Sequence, residues 1–267
     1  MPAPRPSVDD VEDLQALRLR LHRLDPSRSL CDVRAAVAFV RERKVVLSAG
    51  RSSLPMLAEA IVGHAIRGSW MADPEVFRIH RLMRRVHRSP ALVSAPLIEG
   101  KGTMIDAALG PAVQRIAGDG TRREAVIHRL PPPARALLRE VESSGEVRMD
   151  RWRVSAAAGR DARLRLVAQW LVSSASIHTE SGYHTALVRP WRTSAIAVRF
   201  AKSAARLDYD DACRRLWQAA ARSAVIVPER EARRWFPFGD AGLGDLIDAG
   251  RIQRLTAARR TWLIGQE

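Results

Sequence analysis

Residues 163–191 read RLRLVAQWLVSSASIHTESGYHTALVRPW, and the rest of the chain falls into order around them. Leu164, Val167, Trp170 and Leu171 recur at three- and four-residue steps, which puts them on one face of a helix running out at Ser173-Ser174. Two short β-prone runs follow, Ser176–Thr179 and Tyr183–Val188, separated by Glu180-Ser181-Gly182. Glycine takes positive φ without strain, so that spacer reads as a hairpin turn. A helix leading directly into a two-stranded hairpin is the second half of a winged helix. Upstream, Pro131-Pro132-Pro133 suits a helix first turn, with the helix continuing over Ala134–Glu142 to Gly145. Met149–Val154 then reads as a short helix and Ala156–Gly159 as the turn into the 163–171 helix. Trp191 closes the second strand and is expected to pack back on the core.

The same order recurs on both sides. N-terminally, Val11–Leu24 has Leu14, Leu17 and Leu21 at helical spacing, with acids early and arginines late, as the helix dipole favours. Helices over Cys31–Arg43 and Leu54–Val62 flank a short strand, Lys44–Ser48. The loop Arg67–Pro74 leads into a helix over Glu75–His87, then a hairpin, Ala91–Ile98 and Thr103–Ile105, turning at Glu99–Gly102. C-terminally, a helix over Tyr209–Ser223, a strand Val225–Val227, a helix from Pro228 to Trp235 and a hairpin, Ile252–Leu255 and Thr261–Ile264, repeat the scheme. The expected fold is therefore α+β, mainly helical, built of tandem winged-helix units (helix-turn-helix plus β-hairpin). The divisions are an N-terminal tail and helix at 1–29, units at 30–120 and 121–200, and a C-terminal unit at 201–267.

Composition narrows the partners. The net charge is +15 at neutral pH and 41 of the 44 basic residues are arginine. A surface that basic attracts polyanions. Cys31 and Cys213 lie far apart with no Cys-x-x-Cys pattern, which excludes a metal ribbon and fits free thiols in a reducing cytosol. The start, MPAPRPSVDD, lacks an apolar leader core and no run approaches a membrane span, so a cytoplasmic, nucleoid-associated protein is expected.

The helix over Glu75–His87 concentrates the charge. Ile79, Leu82, Met83 and Val86 form its core stripe, and Arg78, Arg81, Arg85 and Arg88 occupy a separate arc roughly 80° wide at about 100° per residue. Arg84 adds a fifth, and no acid interrupts 76–95. A merely solvated helix tends to gain i, i+4 ion pairs, so this face points to phosphate contact. Further donors and stacking groups stand on the central helix (Arg163, Arg165, Gln169) and its hairpin (His178, Tyr183, His184, Arg189). Lys101 in the first hairpin and Arg254, Arg259 and Arg260 in the third complete the expected nucleic-acid surface.

Three helix–hairpin units and the opening helix LRLRLHRLD resemble proteins built of tandem winged helices, among them a group of DNA glycosylases that unhook alkylated bases and crosslinks. That resemblance implies a catalytic Gln-x-Asp or Gln-x-Gln motif. Here Gln15 is followed by Ala16-Leu17 and Gln114 by Arg115-Ile116, so the activity does not carry over. The stretch RGSWMADPE also resembles a motif of uncharacterised bacterial proteins, which supplies no function.

Two constellations invite chemistry. His178, Glu180 and His184 could converge as metal ligands, but no fourth ligand is evident and a phosphate-touching hairpin explains the same residues, so neither metal nor cofactor is expected. Asp73 and Glu75, beside Trp70 and His64, could form an acid–base pocket for a flipped base; an Asp-Pro-Glu helix start accounts for them more simply. The sequence thus reads as a protein that binds duplex DNA through arginine–phosphate contacts, in repair or transcription regulation, rather than as an enzyme. Its rivals are a glycosylase-like hydrolase with an unrecognised active site and a winged-helix protein-interaction module.

Overall fold

The computed structural model describes residues 8–257 and 259–266, with side chains from Val11 onward. Of the expected N-terminal tail and helix at 1–29, residues 1–7 lie outside the described residues, and α1 (Val8–Leu21) opens the chain that is described. Helix α2 (Val33–Arg43) starts where the Asp32 carboxylate accepts the Ala35 N–H at 2.8 Å, and it buries Ala36, Phe39 and Val40. Strand β1 (Val45–Leu47) follows, then α3 (Leu57–Val62). Gly63 ends α3 at φ +80°, and a Cβ there would sit 2.6 Å from Pro26 Cα, so no other residue fits. Helix α4 (Val76–Val86) buries the expected stripe of Ile79, Leu82, Met83 and Val86 and leads into β2 (Leu92–Ile98) and β3 (Lys101–Asp106).

The central segment carries α5 (Gly110–Ala117), α6 (Gly120–Arg129), α7 (Pro132–Ser144), β4 (Val147–Arg148), α8 (Ala156–Ala168), β5 (Val172–His178), β6 (His184–Pro190) and α9 (Ala195–Ala204). Three expectations need correction here. Residues 149–154 form turns and bends, not a helix, and α8 begins at Ala156, because the Ser155 hydroxyl accepts the Ala158 N–H and three alanines favour helix. The buried face of α8 is Ala162, Leu166 and Val167, whereas Leu164 is 43% exposed. Trp170 and Leu171 are buried beyond the helix end, where Trp170 at φ 53° reverses the chain toward β5. Trp191 does pack inward, 6.3 Å from Trp170, its indole N–H donating to Gln114 Oε1 at 2.9 Å.

The chain ends with α10 (Tyr209–Ala224), β7 (Ile226–Pro228), α11 (Glu229–Ala232), α12 (Leu243–Asp248), β8 (Ile252–Ala257) and β9 (Arg260–Gly265). The helix expected over 228–235 is only four residues long; beyond it Trp235 turns inward to meet Trp217 at 6.1 Å. Pro228 ends the strand and precedes the helix instead of opening it.

The three antiparallel sheets share one topology: β1-β3-β2, β4-β6-β5 and β7-β9-β8. In each, the short strand pairs with the second strand of the hairpin. In each, a positive-φ residue turns the preceding helix into that short strand: Lys44 (φ 70°), Gly145 (φ 81°) and Val225 (φ 66°). Only Gly145 adopts this conformation without strain. The result is a mainly helical α+β protein of winged-helix-like units. The first and third have two helices between the short strand and the hairpin (α3 and α4; α11 and α12), whereas the central one has a single helix there, α8.

By packing, the chain forms two compact units, one of Met1–Gly110 with Cys213–Glu267 and one of Pro111–Ala212. The former joins chain ends: Val11 packs with Ile226, Leu255 and Ile264. The Glu231 carboxylate accepts the Ser52 hydroxyl at 2.9 Å and the Ser53 N–H and hydroxyl at 2.6 and 2.8 Å. His22 is buried, its Nε2–H donating to Ser223 O at 3.0 Å. Burial and the nearby Arg18 and Arg43 cations, against that hydrogen bond, take its pKa down to about 3.

Candidate nucleic-acid interface

Because Ile79, Leu82, Met83 and Val86 commit one side of α4 to the core, its remaining side chains must face outward. Arg81, Arg84, Arg85 and Arg88 are all exposed, with no acidic partner among the described residues. Arg78 differs: its guanidinium donates to Glu75 at 2.6 Å and to Leu30 O at 3.2 Å. The expected unpaired face thus loses its first member, because Glu75 stands three residues before Arg78, just outside the acid-free run.

Arg81 and Arg85 line an open groove between α2 and α4, about 790 Å³ in volume, and Arg34 and Arg41 of α2 line it too. Arg34, Ala38 and Arg41 fall at i, i+4 and i+7, on the side of α2 away from its buried residues. The one carboxylate in the groove, Asp32, is engaged in capping α2. Four guanidinium groups around a concave surface make a strong local positive potential. The sequence reading missed Arg34 and Arg41, since each is an isolated arginine until two helices are laid side by side; their i, i+7 spacing was the available signal.

The two carboxylates considered as catalytic are both occupied. Asp73 accepts the Glu75 N–H at 2.8 Å and lies 3.3 Å from His64 Nε2; Glu75 holds Arg78. Neither lines the nearby cleft of about 300 Å³ formed by Ala49, Gly50, Met56, Ala58, Glu59, Ile66, Gly68, Ser69 and Trp70. The carboxyl in that cleft is Glu59, 8% exposed, its Oε1 accepting the Ile66 N–H at 3.0 Å. Burial raises its pKa, outweighing that hydrogen bond and the charges of His64 and Arg18. A carboxyl whose protonated form is favoured by burial, in a cleft that the half-buried Trp70 also lines, can donate a hydrogen bond or a proton. Glu59 sits within an apolar helix and gave no sequence cue of its own.

Elsewhere many expected contact residues are tied internally. Lys101 donates to Glu99 and to Arg51 O, and Glu99 also accepts from Arg234, so the first hairpin tip is held within its own unit. Arg163 is half-buried and reaches Ser174 Oγ at 3.3 Å. Arg165 pairs with Asp161 at 2.7 Å, Arg189 with Glu146 at 2.9 Å and Arg254 with Glu229 at 2.8 Å. Gln169 is half-buried, its backbone carbonyl taken by Arg122 at 2.6 Å. Arg259 and Arg260 are exposed in the third hairpin, whose tip includes Ala258, outside the described residues. On the central hairpin, His178, Tyr183 and His184 are exposed, the two imidazoles 4.2 Å apart and Ser176 Oγ 3.2 Å from His184 Nδ1. Glu180 lies nearest Arg151, at 3.8 Å. No cluster of three metal-ligating side chains occurs among the described residues, and no helix among them is long and apolar enough to cross a membrane.

The sequence matches no protein-family model and no curated protein. Among solved structures, a chain described as Streptomyces sahachiroi DNA glycosylase AlkZ is similar over 98% of this chain and 71% of its own, with a TM-score of 0.49 and 12% identity.

Proposed function

We propose that this protein binds duplex DNA through the outward face of α4 and the arginine groove beside it, in DNA repair or transcription regulation, in the cytoplasm in association with the nucleoid. The observation that carries the reading is the set Arg81, Arg84, Arg85 and Arg88, exposed and without acidic partners among the described residues, continued across the groove by Arg34 and Arg41. Arginine presents a planar fork of donors that fits phosphate, and each neutralised phosphate releases counterions. Binding should therefore fall steeply with salt. Titrating a labelled duplex across a salt series tests this: the log–log slope should approach about −0.9 per phosphate contacted, and removing Arg84 or Arg88 should each lower its magnitude by about one. An affinity that barely changes from low to moderate salt would overturn the reading. The exposed arginines and side chains of the second and third hairpins (Arg259, Arg260, His178, Tyr183, His184) are proposed as secondary contacts.

A second reading has its own observation. The cleft holding Glu59 and Trp70 combines a carboxyl of raised pKa with an aromatic wall, which is what handling a base outside the helical stack requires. Incubating plain and alkylated duplexes with the wild-type chain and E59Q decides it. Base release that E59Q abolishes supports a glycosylase-like hydrolase; binding without release leaves a DNA-binding protein.

A further inference from the structure

Phe77 is 86% exposed on the first full turn of α4. Its side chain is not a displaced core residue, because the opposite face of the helix is fully occupied by Ile79, Leu82, Met83 and Val86. Counting about 100° per residue, Arg81 and Arg84 stand within about 40° of Phe77, so the ring lies on the cationic face, at its N-terminal end. His80 is exposed beside it, and Met71, 70% exposed, precedes it on the turn Trp70–Ala72. Phe39, Phe200 and Phe236, by contrast, are all buried. A phenyl ring left in water is unfavourable, and one sharing its helix face with arginines is a poor start for an apolar core. A nucleic acid with an opened base step supplies what this arrangement lacks: a π-face for the ring and phosphates for the arginines on either side. The N-terminal part of the second helix is also the part that helix-turn-helix proteins direct at bases.

We propose that Phe77 stacks on a base exposed at an opened step, so that this face prefers DNA with a bulge or mismatch over continuous duplex. The inference rests on the DNA-binding reading of α4 and adds to it the form of DNA recognised. Its test uses the full chain as wild type, F77A, F77W and R84A/R88A. The probes are a continuous 20-mer duplex and the same duplex with a one-nucleotide bulge, each titrated over a salt series. The wild type should prefer the bulged duplex. F77A should weaken that binding roughly 5- to 150-fold, the range for loss of one base–aromatic stack, while leaving the continuous duplex and the salt slope nearly unchanged. F77W should retain the preference. R84A/R88A should instead weaken both probes and flatten the slope. Equal affinity of F77A and wild type for the bulged probe, with the salt dependence intact, overturns the stacking role and leaves the DNA reading standing. Absence of salt-dependent binding in the wild type overturns both. Because Phe77 is exposed, F77A should melt with the wild type; if it instead converts an oligomer to a monomer, the ring serves self-association and the proposal fails.

Discussion

Helices α4 and α8 occupy the same place in their respective units, directly before the hairpin, and present opposite kinds of surface. On α4 the apolar residues take one side and the arginines the other, and four of those arginines have no acidic partner among the described residues. On α8 the outward residues are mixed: Arg165 is neutralised by Asp161 four residues earlier, Arg163 is half-buried against Ser174, and Leu164 is exposed between them. Burial also lowers the Arg163 pKa, with Arg160 adding to the effect, and its hydrogen bond to the Ser174 hydroxyl brings no opposite charge. Shared topology therefore does not confer a shared surface; what separates the two helices is an acid four residues before Arg165 and the burial of Arg163. Arg78, paired with Glu75, shows the same rule within α4 itself.

The comparison breaks most visibly under charge removal. Replacing Arg81, Arg84, Arg85 and Arg88 together by alanine should reduce duplex affinity by on the order of 100-fold or more near physiological salt, because several phosphate contacts are lost at once. The matching change on α8, R160A/R163A/R165A, should cost less than about 3-fold, since a phosphate there competes with an existing ion pair. Fluorescence anisotropy on one duplex at two salt concentrations measures both. A larger loss from the α8 set would reverse the assignment of the contact helix.

The three hairpins and the core stripe of α4 were readable in the sequence because periodicity of 2 and 3.6 survives whatever packs on it. The helix missed at α6 fails that test, as Arg122, one of its two buried residues, is charged. The turn after α10 was hidden for another reason: Val225 takes a positive φ that no propensity anticipates for a β-branched residue, and tertiary packing imposes it. Pairing is the least legible feature of all. The arginines of the central and third hairpins look like those of α4 in one dimension, yet Glu146 reaches Arg189 across 43 positions and Glu229 reaches Arg254 across 25. The groove arginines, Arg34 and Arg41, and the cleft carboxyl, Glu59, exist as sites only once two or more elements are assembled.

The unit of chain ends should also lose stability in acid. In the unit of chain ends, His22 is held neutral, its pKa brought from 6.5 to about 3. Its unfolded form takes up a proton below pH 6.5 and its folded form does not, so the stability that neutral His22 allows is complete above pH 6.5 and is lost as pH falls toward 3. The slope is about 1.4 kcal/mol per pH unit, or about 2 kcal/mol by pH 5. Glu59 acts the other way: with its folded pKa raised above 4.5, the native state holds the extra proton, which makes the loss shallower close to and above pH 4.5. Denaturant unfolding at pH 7 and pH 5 should show this dependence, and H22Q should flatten it. A curve of unchanged slope in H22Q would place the acid sensitivity elsewhere.

The smallest expected effect bears most directly on why α8 differs from α4. Asp161→Asn removes the charge that holds Arg165 but keeps the side-chain volume, and both residues are exposed, so stability should change by less than about 0.5 kcal/mol. If pairing alone keeps α8 silent, the freed guanidinium becomes available to phosphate. Duplex affinity then rises about 2- to 3-fold at low salt, and the magnitude of the log–log slope grows by up to about one. If neither changes while the charge-removal set on α4 has its full effect, α8 lies away from the DNA altogether. The difference between the helices is then one of placement, and the acid beside Arg165 serves only to neutralise a solvated face.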